Sequence, residues 1–147
     1  MNDSLIVACP ACSTLNRAPP DKLAAGGGKC GKCKAPLFDG HPVELTAASF
    51  QAHAADSDVP LLVDFWAPWC GSCRAMAPQF ERAARELEPA IRLAKLNTDQ
   101  EQALAGQFGI RGIPTMILFR HGREVARQSG AMDSGRITQW VRQALAA

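Results

Sequence analysis

The chain is most informative first for what it does not contain. None of its 147 residues forms an apolar run long enough to span a bilayer, because the longest stretch, VPLLVDFWAPW, is broken by Pro60, Asp64 and Pro68. No membrane association is expected. The opening MNDSLIVACPAC has no basic n-region, and its short apolar stretch stops at a Cys-Pro step, so it does not read as a secretory signal and the cytoplasm is the expected location. Neither sign of charge dominates, with 16 Lys/Arg against 14 Asp/Glu. The small positive excess sits in residues 1–40 (Arg17, Lys22, Lys29, Lys32 and Lys34 against Asp3, Asp21 and Asp39), where four thiolates on one Zn²⁺ would cancel it. A nucleic-acid surface is therefore not expected. His41, His53 and His121 lack metal-ligand spacing and are expected at the solvent. The glycine run in AAGGGK is followed by no GK[ST] and lies in no strand-to-helix context, which makes it a flexible loop tip and excludes a phosphate cradle.

What the chain does have is six cysteines, all in CxxC pairs: Cys9/Cys12, Cys30/Cys33 and Cys70/Cys73. A CxxC serves either to grip a metal or to open and close a disulfide, and the neighbours of each pair decide between them. The first two pairs are separated by 17 residues, inside the spacing of a four-cysteine zinc site. A front segment with so few large apolar residues needs a further stabiliser, and a metal supplies it. Each pair is expected to form a tight knuckle, with Gly31 easing the second. The expected division is residues 1–40 as a zinc-binding ribbon and residues 41–147 as a larger α/β domain, with the boundary near Gly40–Pro42.

From GHPVELT onward the pattern predicts β-α-β-α-β-α-β-β-α and hence a mixed sheet flanked by helices. VEL is a short strand, and Thr46 can cap a helix over AASFQAHAA. PLLVDFWA is a strand covered on both faces, IRLAKLN another, and TMILFRHGREVARQS a hairpin turning at His121-Gly122. The helix after CGSC carries Met76, Phe80, Ala84 and Leu87 on one stripe and is expected to kink at Pro78. Asp133 or Ser134 caps a last helix with Ile137, Trp140, Val141 and Leu145 facing inward.

The third pair differs from the others in its setting. It follows a buried strand and starts a helix, where unpaired N–H groups and the dipole favour a Cys70 thiolate. Cys73, one turn further in, is placed to attack a mixed disulfide formed at Cys70. Asp64, alone in an apolar strand, is read as a desolvated carboxylate and a proton acceptor for Cys73; the plainer reading makes it a polar strand residue paired with Lys95.

VDFWAPWCGSCRAMAP, then KLNTD, then FGIRGIPTMILFRHGREV, resembles thioredoxin over roughly residues 43–147, and with the four-cysteine front the chain is similar to the zinc-ribbon thioredoxins of bacteria, the thioredoxin 2 type. The resemblance implies a thioredoxin fold and a general protein-disulfide reductase acting on oxidised proteins. It implies re-reduction by an NADPH-dependent thioredoxin reductase, and a part in redox homeostasis and oxidative-stress defence. It makes Cys70 the nucleophile, Cys73 the resolving thiol, Asp64 the buried base, Lys95 its neighbour and Pro114, after a cis bond from Ile113, the loop beside the dithiol. Trp66, Trp69, Gly71, Gly112, Ile113, Gly130 and Ala131 match the rim on which substrates dock. A structural Zn²⁺ on Cys9, Cys12, Cys30 and Cys33 is the one cofactor expected, with none in the thioredoxin domain. Ser72 stands where proline is usual and Arg74 where lysine is common. The alternative functions are a zinc-gated redox sensor or chaperone, and a zinc-ribbon module that targets the larger domain to a partner.

Overall fold

A computed structural model describes residues 4–147; Met1–Asp3, the start of the expected ribbon, lie outside the described residues. The chain opens with an antiparallel pair, β1 (Leu5–Ala8) and β2 (Leu15–Ala18), followed by a short helix α1 (Pro20–Ala24). The glycine run divides. Gly26, at φ +77, turns the loop, whereas Gly28 is buried where a Cβ would lie 2.9 Å from Leu23 and 3.1 Å from Leu37. The expected loop tip is thus half packing element, because two leucines close over a residue without a side chain.

The larger part contains β3 (Val43–Glu44), α2 (Phe50–Ala54), β4 (Leu61–Trp66), α3 (Gly71–Leu87), β5 (Arg92–Asn97), α4 (Gln102–Gln107), β6 (Thr115–Arg120), β7 (Arg123–Ser129) and α5 (Ser134–Ala146). The expected element order is the observed one. The sheet runs β3-β5-β4-β6-β7, with the first three strands parallel, β6 antiparallel to β4 and β7 antiparallel to β6. Strand β4 is central, and its continuous apolar run is explained by cover on both faces. Leu62 packs with Met76, Phe80, Leu87, Met116, Ile137 and Val141 under α3 and α5. Leu61, Val63 and Phe65 pack with Leu96, Ile117 and Phe119 toward α2 and α4. Each such fully buried side chain contributes about 1.5–3 kcal/mol.

Local chemistry sets the ends of several elements. The β6–β7 hairpin turns on two residues, His121 at φ +48 and Gly122 at φ +80, the signs that a type I′ turn requires. Asp133 caps α5, its carboxylate accepting from Arg136 N at 2.8 Å. Helix α3 continues through Pro78 to Leu87 as one element. Thr46 does not cap α2 with its side chain; it heads a turn, its carbonyl accepting from Ser49 and Phe50, and the helix begins only at Phe50.

The front segment is built onto the larger part. Val59 joins Val7, Ala18, Leu23 and Leu37 in one apolar cluster. Ile6 N donates to Asp58 at 2.7 Å, Asp58 N donates back to Ile6 O at 2.7 Å, and Ala8 N donates to Ser57 at 3.0 Å. Arg92, 3% exposed, donates to Ala8 O at 2.9 Å with its guanidinium 4.0 Å from the centroid of the Phe38 ring. Glu88 accepts from Gly40 N and Leu93 N, tying the connecting segment to β5.

Candidate functional site

The two front pairs form matching knuckles. In each, the N–H of the residue after the second cysteine bonds to the carbonyl of the first (Ser13 to Cys9, Lys34 to Cys30), and that residue takes a left-handed conformation, φ +65 and +68. In the second knuckle the residue with positive φ is Lys34; Gly31 sits within the turn, its N–H held at 2.9 Å by the Asn16 side chain. Backbone donors aim at the sulfurs, Ala11 N at Cys9 (3.3 Å) and Lys32 N and Cys33 N at Cys30 (3.4 and 3.5 Å). The knuckles face each other, so that Cys9 Sγ lies 3.5 Å from Cys33 Sγ and Cys12 Sγ 3.7 Å from Cys30 Sγ, with all four sulfurs within 4.8 Å. A tetrahedron with Zn–S of about 2.3 Å has an edge of about 3.8 Å, so the donor set fits Zn²⁺. Burial pushes Cys9 up to about 12, whereas the Cys33 N–H beside Cys30 brings that thiol down to about 6. Cys9 and Cys30 are buried; Cys12 and Cys33 face solvent.

The third pair lies where β4 hands over to α3. Cys70 is the N-cap residue and accepts from Cys73 N at 3.2 Å; the two cysteines are joined as a disulfide, Cα atoms 5.2 Å apart. Ser72 Oγ is 3.4 Å from Cys70 Sγ, in reach to donate to it. Ala67, Cys70 and Cys73 form one buried cluster against Trp66 and Ile113, and Cys70 Sγ lies 3.8 Å from Ile113 O. The Ile113–Pro114 bond is cis, as the resemblance implied.

Asp64 is fully buried, and neither carboxylate oxygen has a hydrogen-bond partner. Burial raises its pKa to about 7, with the charge of Lys95 opposing. Lys95 stands beside Asp64 in the strand register, yet its ammonium sits 4.3 Å from the centroid of the Trp66 ring, a cation–π contact rather than an ion pair. Trp69 is 68% exposed and held by Asp99, to which its Nε1 donates at 3.3 Å. Gly71, Gly112, Gly130 and Ala131 are exposed. Gly130 N donates to Pro114 O at 2.9 Å, so the two segments that the rim requires are adjacent.

Other groups escaped sequence reasoning. His53 is 2% exposed rather than solvated, with its pKa lowered to about 4 by burial and by the charge of Arg92. Burial also lowers Arg92 to about 10 and raises Glu88 to about 7, each opposed by the other's charge. Arg92, at the head of IRLAKLN, shares its strand with Lys95 and so lacks the isolation that singles out Asp64 in its own strand. Glu88 and His53 lay in stretches of mixed polarity that gave no such contrast.

A dithiol set between a buried parallel strand and a helix, beside a proline loop on a mixed sheet, defines a class of protein that exchanges thiols with disulfides. The comparisons with known proteins agree. Residues 41–143 match the family model described as Thioredoxin, and residues 8–35 the one described as Thioredoxin 2, N-terminal. Thioredoxin C-3 of Corynebacterium nephridii is 39% identical over 141 residues, covering 96% of each chain. Thioredoxin 1 of Nostoc sp. is 44% identical over 96 residues (65% of this chain, 90% of that one), and the thioredoxin of Haemophilus influenzae 39% over 101 residues (69% and 94%). The chain belongs to the thioredoxin family: it is a thiol–disulfide oxidoreductase with a small N-terminal four-cysteine segment. Among the described residues no helix is long and apolar enough to cross a membrane.

Proposed function

We propose that the chain is a cytoplasmic protein-disulfide reductase that works through the Cys70/Cys73 dithiol and is recycled by an NADPH-dependent thioredoxin reductase, in the service of redox homeostasis and oxidative-stress defence. Residues 1–40 form the ribbon and hold one structural Zn²⁺ on Cys9, Cys12, Cys30 and Cys33; residues 41–147 form the thioredoxin domain. The observation that carries the reading is the placement of Cys70 as N-cap of α3, its sulfur met by the Cys73 N–H and the Ser72 hydroxyl.

The Cys70 thiolate attacks one sulfur of a substrate disulfide. A Cys70–substrate bond forms, the substrate S–S bond breaks, and the other substrate sulfur leaves as a thiolate that takes a proton from solvent. Asp64 takes the Cys73 proton; its raised pKa matches a proton acceptor at neutral pH. The Cys73 thiolate then attacks the Cys70 sulfur, expelling the second substrate thiolate and leaving the Cys70–Cys73 disulfide. The substrate gains the two electrons that the dithiol loses, and the reductase restores them. Lys95, held on Trp66, keeps a positive charge near Asp64. Trp66, Trp69, Gly71, Gly112, Ile113, Gly130 and Ala131 form the docking rim around Pro114. The ion on the front cysteines supplies structural cross-linking; the backbone N–H groups of Ala11, Lys32 and Cys33 offset thiolate charge there.

The test is asymmetric trapping. Cys70→Ser should abolish reduction of insulin, and Cys73→Ser should stall as an isolable mixed disulfide. Equal trapping by both variants would overturn the assignment. A second reading, a zinc-gated sensor or chaperone, rests on the solvent-facing Cys12 and Cys33. It requires zinc release by mild peroxide to create new suppression of aggregation, and it fails if no such activity appears.

A further inference from the structure

We propose that Ser129 and Thr115 are positioning residues, a two-hydroxyl relay that fixes the backbone rim on which a protein disulfide docks; this rests on the reductase reading. Thr115 opens β6 and is 3% exposed. Its hydroxyl donates to Gly112 O at 2.6 Å. Ser129 closes β7 directly opposite Thr115 in the antiparallel register, and the two hydroxyl oxygens are 3.1 Å apart. A threonine hydroxyl has one proton, and Thr115 spends it on Gly112 O, so the proton in the second contact is Ser129's. The relay therefore runs from Ser129 through Thr115 to Gly112, each bond polarising the next.

A second tie lies beside it, from Gly130 N to Pro114 O at 2.9 Å. Two segments remote in sequence, 112–114 and 129–131, are thus tied to each other at Pro114 and beside it at Thr115. At Gly112 and Gly130 the outer surface is bare backbone: a Cβ built at either would meet nothing within 4 Å, leaving open space for an extended segment to lie against the loop. Glycine gives the loop no side chain by which to hold its orientation, so the orientation of the Ile113 backbone beside Cys70 depends on what grips the carbonyl of Gly112. The relay touches neither sulfur. Its loss should weaken docking and leave the chemistry at Cys70 intact.

The experiment uses the full chain with insulin as the protein disulfide. Ser129→Ala, an exposed position where folding is not at stake, should raise KM about three- to tenfold, the loss expected for one hydrogen bond, while kcat stays within about twofold. Ser129→Thr should restore the wild-type KM, and amide exchange at Gly112 and Ile113 should quicken in Ser129→Ala and in the isosteric Thr115→Val. An unchanged KM, a fall in kcat at constant KM, or unaltered exchange would overturn the proposal. Failure of the reductase reading would look different: the wild-type chain itself would leave insulin disulfides intact, while the exchange measurement would still report on the clamp.

Discussion

The three CxxC pairs start alike and end differently. In each, the N–H four residues on from the first cysteine bonds to that cysteine's carbonyl: Ser13 to Cys9, Lys34 to Cys30 and Arg74 to Cys70. They part at that fourth residue. Ser13 and Lys34 turn left-handed and send the chain back, so that two knuckles meet and four sulfurs converge. Arg74 stays helical within α3, so the third pair faces a proline loop and has no partner pair. The lesson is that spacing alone makes a turn with two sulfurs. The conformation of the next residue, and what the chain then brings opposite, decides between metal binding and exchange.

Three substitutions sharpen this contrast. The largest effect is expected at the seam. Arg92→Leu strips Ala8 O of its buried donor, one residue before Cys9, and leaves Glu88 without a counter-charge. It should cost about 3–5 kcal/mol in urea unfolding and weaken zinc retention against a chelator, without moving the dithiol's reduction potential. A loss below about 1 kcal/mol would show the seam to be incidental. Asp64→Asn acts on the other region. The folded pKa, about 7, lies above the ordinary carboxylate value, so the folded state binds the proton more tightly; this stability is full at acid pH and is lost as pH rises through 7. The variant should be more stable than wild type at pH 8 by about 2–4 kcal/mol, with a flatter stability profile between pH 4 and 7. Turnover should fall at least about tenfold. Equal rates across pH 6–9 would make Asp64 structural only.

The smallest effect is at Ser72. Its hydroxyl, 3.4 Å from Cys70 Sγ, is a donor that proline lacks, and donors favour the thiolate, reduced form. Ser72→Pro should therefore lower the reduction potential by roughly 10–40 mV, on a bond of about 1 kcal/mol, and raise the Cys70 pKa. Equilibration against glutathione with parallel thiolate absorbance measures both. A potential that rises would mean that backbone stiffness outweighs donor count.

The sequence made most of this legible for identifiable reasons. Strand β4 reads as buried because Leu61–Phe65 is apolar apart from Asp64, and the hairpin reads from His121-Gly122 because that turn needs positive φ twice. Three features were hidden. The left-handed turn residues are Ser13 and Lys34 rather than a glycine, since two packed knuckles impose a conformation that neither residue prefers. His53 is buried because α2 packs against the front segment, a contact between parts distant in sequence that no periodicity reports. The Ser129–Thr115 pair depends on strand register, which the pattern of an edge strand as exposed as β7 specifies weakly.

The division of labour among the three pairs is tested most directly by zinc content measured on reduced, purified full-length protein, beside Cys12→Ser and Cys70→Ser variants. About one zinc per chain is expected in the wild type and in Cys70→Ser, and a loss of zinc in Cys12→Ser, as one four-sulfur site requires. About two zinc ions per chain, or zinc lost with Cys70 and kept without Cys12, would contradict that division.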